Sequence, residues 1–214
     1  MPSIITHAAV PLALWCAADR GRIPAWLLAA GVVAAMLPDA DVLAFALRIP
    51  YADAFGHRGA SHSLLFACVL AALAAVWAFF GSGRPWSTPH SSGSRRPWSA
   101  VSCQPRLAPT QRGPTLASTV QAAVFVFICA ASHPLLDAMT SGGLGVALAW
   151  PWSEQRFFAP WRPIRVSPFA PQFFSARGIA TLLSELRWVW LPLAGAVVAW
   201  KLIQPAPAAP RDLS

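Results

Sequence analysis

His7, Asp39, Asp41, His57, His62, His133 and Asp137 lie inside, or at the lips of, strongly apolar segments. They make up four of the chain's five histidines and three of its eight acids. An ionisable group at bilayer depth costs a few kcal/mol or more unless it faces protein, water or an ion, which makes each of them a functional candidate. Imidazole nitrogen and carboxylate oxygen are ligands for zinc, manganese or iron, and a catalytic site must leave a position for water or substrate. Seven donors exceed the usual three or four of one site. Either two metals share them, as in many phosphoryl hydrolases, or one metal is joined by a general base and by carboxylates that orient imidazoles.

Each local pattern also has a plainer reading. His7 follows Thr6 and could be only a hydrogen-bonded histidine at a helix start. Asp39 and Asp41 would splay to different faces of a regular helix, but a break at Pro38 lets both converge. In His57-Arg58-Gly59-Ala60-Ser61-His62-Ser63, two imidazoles, a guanidinium and hydroxyls directly precede an apolar helix. There Ser61 either caps that helix or joins Arg58, a forked donor suited to phosphate, at a helix N-terminus that favours anions. His133 and Asp137 are spaced to share one helix face, although Pro134 disfavours helical geometry at His133. The run Arg156–Pro168 reads as an aromatic and arginine belt at the membrane interface, or as a lid whose Arg162 and Arg165 meet an anionic headgroup.

The elements that must position these residues follow from composition. The chain has 214 residues, 56% hydrophobic and only 11% charged, against about 25% charged for a soluble domain, and its mean hydropathy is +0.51. Apolar stretches fall at Ile4–Ala18, Pro24–Leu47, His62–Phe80, Leu116–Met139 and Val189–Ile203, where about 20 residues are needed to cross the hydrocarbon core. The expected fold is all-α: a polytopic helical membrane protein with about five (four to five) transmembrane helices. A single helical domain over 1–203 is interrupted by a basic Pro/Ser/Gly linker at 81–115 and followed by a disordered tail at 204–214. Ile4–Ala18 has no basic region before it and contains His7, so it is expected to be retained rather than cleaved as a signal peptide. Cys16, Cys68, Cys103 and Cys129 form no CxxC pair and imply neither a disulfide framework nor a thiolate site.

If all segments cross, Arg20, Arg22, the linker arginines, Lys201 and Arg211 share one side. The positive-inside rule then places the linker in the cytoplasm. A four-helix alternative with a re-entrant first segment would keep much of the cluster but flip the N-terminus. Under the alternating topology all seven candidate ligands fall towards the opposite face. The linker arginines read as a marker of the positive side rather than as a nucleic-acid patch.

Taken in order, Thr6-His7, Leu37-Pro38-Asp39-Ala40-Asp41, His57 to Ser63, His133-Pro134-Leu135-Leu136-Asp137 with Thr140 and Gly143, and Pro160–Pro168 resemble the YdjM-type family of bacterial inner-membrane proteins, described as membrane-bound metal-dependent hydrolases. A more distant similarity is to zinc-dependent phospholipase C. The resemblance implies an inner-membrane hydrolase whose metal set is His7, Asp39, His57, His62, His133 and Asp137, with Asp41 as ligand or base. The expected cofactor is one or two divalent ions, zinc first and manganese as the alternative. Metal-activated water would attack a phosphoester or another lipid-linked substrate, with Asp41 or Asp137 accepting a proton. Arg58 with Arg162 or Arg165, together with Ser61 and Thr140, would hold the substrate, and membrane lipid is the expected partner. Two rivals use the same residues: an ion or metal transporter, and a structural protein whose polar cluster ties helices together.

Overall fold

Alanine lines the inside of this molecule and large apolar side chains cover its outside. The computed structural model describes residues 2–19, 21–81, 115–168 and 172–204. Within these, Ala34, Ala35, Ala67, Ala122 and Ala130 form the main core with Phe125 and Cys129. Leu73, Val76, Trp77, Phe80, Leu202 and Ile203 face outward. Small residues let helices approach closely where lipid, not water, surrounds them. At Gly31 a side chain would meet Phe125 Cε1 at 2.5 Å and Cys129 Sγ at 3.0 Å, so only glycine fits that crossing.

The helices are α1 (Ile4–Ala17), α2 (Ala25–Ala46), α3 (Leu64–Gly81), α4 (Leu116–Ala138) and α5 (Ala176–Ile203). The last four are long and apolar enough to cross a membrane. At 1.5 Å per residue α1 reaches only about 21 Å, short of the roughly 30 Å core. The expected four to five spans are therefore four full-length helices and one short apolar one. Their ends agree with the hydropathy pattern within one or two residues, except that α5 begins well before Val189. The basic linker and the C-terminal tail, apart from Gly81, Thr115 and Gln204, lie outside the described residues, as does Cys103. Cys16, Cys68 and Cys129 are free thiols.

Local chemistry sets the helix ends. Thr115 and Ser118 form a capping box at the start of α4, satisfying orphan N–H groups. Ser63 caps α3 by accepting from the Phe66 N–H at 3.1 Å. Inside α2, Pro38 opens a tighter turn over Leu37–Val42, which re-aims the two aspartates. Pro134 leaves α4 unbroken through Ala138, so the expected bias against helix at His133 is overridden by its tertiary contacts.

Between α4 and α5 the chain runs irregularly over one end of the bundle. It is held by isolated bridges, Thr140 with Ile164 and Val146 with Phe157. Arg156 clamps this cap to the α2–α3 loop by donating to the carbonyls of Tyr51, Asp53, His57 and Arg58 at 3.0–3.2 Å. The cap covers the bundle end to which every candidate ligand maps.

Candidate metal centre

Five donors from four elements converge under the cap. His7 comes from the start of α1, Asp39 from the turn in α2, His62 from the residues just before α3, and His133 and Asp137 from the end of α4. All are buried: Asp39 is 3% exposed and the other four 0%. His62 Nε2 lies 3.0 Å from His133 Nε2 and 3.3 Å from Asp137 Oδ2. His133 Nε2 is 3.4 Å from Asp39 Oδ1. His7 Nε2 is 3.7 Å from Asp39 Oδ2 and 3.8 Å from Asp137 Oδ1, with its ring stacked on His133 at 3.7 Å. Asp39, His62, His133 and Asp137 each place a ligand atom within 4.8 Å of the others.

These spacings suit an ion. Ligands about 2.1 Å from a metal lie about 3.0 Å apart along an octahedral edge, about 3.4 Å along a tetrahedral edge and about 4.2 Å when opposed. The tautomers point the same way. Ala35 O, which can only accept, takes the His133 Nδ1–H at 2.7 Å, and Asp41 Oδ2 takes the His62 Nδ1–H at 3.1 Å. Both Nε2 atoms are thereby left as lone pairs. Two lone pairs 3.0 Å apart need a proton or a metal between them.

The energetics favour a bound cation. Both ring nitrogens of His7 and both oxygens of Asp39 and Asp137 are buried without a hydrogen-bond partner. Each buried ion costs several kcal/mol even after relaxation, a large share of the roughly 5–15 kcal/mol that stabilises a domain. One divalent ion would neutralise the two carboxylates. Around them Arg58 and Asp41 add opposite charges. Burial alone lowers the pKa of His62, but the carboxylates of Asp137 and Asp41 outweigh it and push it up to about 9. Without a metal, the site therefore recruits a proton.

The remaining sequence candidates form a surrounding layer. Asp41 accepts from the Arg58 N–H at 3.0 Å and the Ser61 hydroxyl at 2.8 Å, and its other oxygen meets His57 Nδ1 at 2.5 Å. His57, expected among the ligands, is thus turned to Asp41 and packed against Tyr51 and Phe45. Ser61 supports Asp41; the cap it was a candidate for is supplied by Ser63. Arg58, 1% exposed, pairs through Nε with Asp137 Oδ2 at 3.1 Å and donates to Gly142 O and Thr140 Oγ1. Its guanidinium and Thr140 are turned to protein, not to a substrate. Arg162 stacks over Phe158, and Arg165 is exposed on the cap.

Two buried or clamping groups were not singled out from the sequence. Arg156 looked like any belt arginine, and nothing local marks it. Glu185 is 1% exposed and accepts from Ser3 N at 2.5 Å, Ser3 Oγ at 2.6 Å and Thr6 Oγ1 at 2.7 Å. It ties α5 to the residue preceding His7. A lone acid among Leu182, Leu183 and Leu186 was the signal available.

Comparison with known proteins gives two matches. Residues 1–208 match the family described as YdjM inner membrane protein. The chain is 42% identical over 193 residues to the inner membrane protein YbcI of Escherichia coli (strain K12), covering 90% of this chain and 92% of the relative. No solved structure matches.

Proposed function

We propose, for a chain that belongs to the YdjM inner membrane protein family, that the cluster of His7, Asp39, His62, His133 and Asp137 holds one divalent ion and serves a hydrolase. The chain is an inner-membrane protein, and a buried His/Asp cluster able to hold a metal is part of it. The finer reading rests on one observation: the facing Nε2 lone pairs of His62 and His133 beside the buried carboxylates of Asp39 and Asp137, of which only Asp137 has an arginine partner. The imidazoles of His7, His62 and His133 with the carboxylates of Asp39 and Asp137 would hold zinc or manganese, whose ligand types they match. A bound divalent cation lowers the pKa of water towards neutrality and so supplies a nucleophile.

The chain's own groups then divide the work. Asp41 holds His62 in its ligating tautomer, as Ala35 O does for His133. Arg58 fixes the Asp137 carboxylate through Oδ2, leaving Oδ1 to take a proton. The cap excludes water, and Arg156 must release at least some of its four carbonyls for a substrate to enter. A phosphoester or another lipid-linked substrate fits the location.

Hydrolysis of phosphomonoester, phosphodiester and phospholipid substrates by metal-loaded wild type, His62→Ala and Asp137→Ala proteins tests this reading. Wild-type activity lost in both variants supports it. A second reading, in which the ion only ties helix ends together, is favoured by the complete burial of the cluster. Tightly held metal with no hydrolysis of any substrate class would select that reading instead.

A further inference from the structure

Two cavities are lined by neighbouring residues of the segment that connects α4 to α5. The first, of about 330 Å³, is lined by Ser141, Gly142, Gly143, Arg165 and Arg177, with no carboxylate among its described lining residues. Arg165 and Arg177 bond to described residues through backbone groups, their N–H groups to Ser184 and Ser175 and the Arg177 carbonyl from Thr181, and among the described residues both guanidiniums lack a partner. The second, of about 260 Å³, is lined by Ile4, Ile5, Pro168, Phe173 and Phe174 with Ser3 and Ser167. The chain passes from Val166 in the first directly to Ser167 in the second, and Phe174 lies three residues before Arg177. A cationic pocket thus adjoins an apolar groove. Both sit between the end of α4 and the start of α5, where the chain leaves and re-enters the apolar layer.

We propose that this pair of cavities binds an anionic phospholipid, with its phosphate between Arg165 and Arg177 and the start of an acyl chain against Ile4, Ile5, Phe173 and Phe174. A forked guanidinium matches phosphate oxygens, and two of them without carboxylates select net negative charge over a zwitterion. A lipid chain in the groove would cover Phe174, which stands 91% exposed three residues before Arg177. Gly142, which lines this pocket, accepts from Arg58 in the metal centre's outer layer. The proposal goes beyond the hydrolase reading and rests on different side chains, so each can fail alone.

Native mass spectrometry of the detergent-purified full chain tests it, titrated with short-chain phosphatidylglycerol, short-chain phosphatidylcholine or inorganic phosphate, with and without chelator. Phosphatidylglycerol should bind about tenfold or more tighter than phosphatidylcholine, since each basic residue near an anionic lipid contributes about fivefold. The preference should vanish in the Arg165→Gln/Arg177→Gln variant, persist after chelation, and resist an equal concentration of inorganic phosphate. Phe174→Glu, at a fully exposed position, should weaken phosphatidylglycerol binding without altering the fold by circular dichroism. Equal binding of the two lipids, an unchanged preference in the arginine variant, or displacement by equimolar phosphate would overturn the proposal.

Discussion

At the residue scale the centre is a set of lone pairs and charges whose geometry is fixed from outside. Asp41 touches no other carboxylate of the cluster, yet it sets the tautomer of His62. Asp41→Asn should leave the fold intact and weaken metal binding about 10- to 100-fold, the usual cost of losing such an orienting partner, as read by competition with a chelating dye. His57→Ala should weaken it less than His7→Ala, because only His7 faces the cluster. Metal must displace the proton that His62, with its pKa raised to about 9, carries at neutral pH. Affinity should therefore climb about tenfold per pH unit from pH 6 towards 9 and level off above; a flat profile would contradict the proton exchange. All seven of these side chains were legible in the sequence, since polar groups in apolar runs are conspicuous. Their division into ligands and supports was not, because it depends on which face of α2 and of the α2–α3 loop the fold turns inward.

Among elements, the site depends on how closely α2 and α4 approach and on how α1 is docked. Gly31 sets the first distance. Gly31→Leu should overpack the crossing, lower stability by about 1–3 kcal/mol and move Asp39 away from His133, seen as a lower thermal midpoint and reduced metal content. Glu185 sets the docking through its three donors on Ser3 and Thr6. Glu185→Gln should cost about 1.5–3 kcal/mol, the range for hydrogen bonds to a charged group, and loosen the His7 contribution to metal affinity. The spans were readable because Leu116–Ala138 and its fellows are long apolar runs. Less readable was the start of α5, where Arg177, Ser184, Glu185 and Arg187 dilute the hydropathy. The continuity of α4 through Pro134 was also hidden, since only the Ala35 carbonyl and the cluster itself hold His133 in place.

For the whole molecule, an alanine-lined bundle with large apolar residues facing out places a buried His/Asp cluster at one end of an inner-membrane protein. Every ligand lies outside the basic linker, so deleting residues 86–110 should leave metal content unchanged; the eight residues kept between Gly81 and Thr115 still reach about 26 Å. Loss of metal in that variant would tie the linker to the site. The central claim is that the cluster is built around an ion, and metal analysis of protein purified without added metal or chelator tests it most directly. One divalent ion per chain in the wild type, absent from His133→Ala, is the predicted result. A folded wild-type protein that carries no metal and takes up none from micromolar zinc or manganese would contradict it.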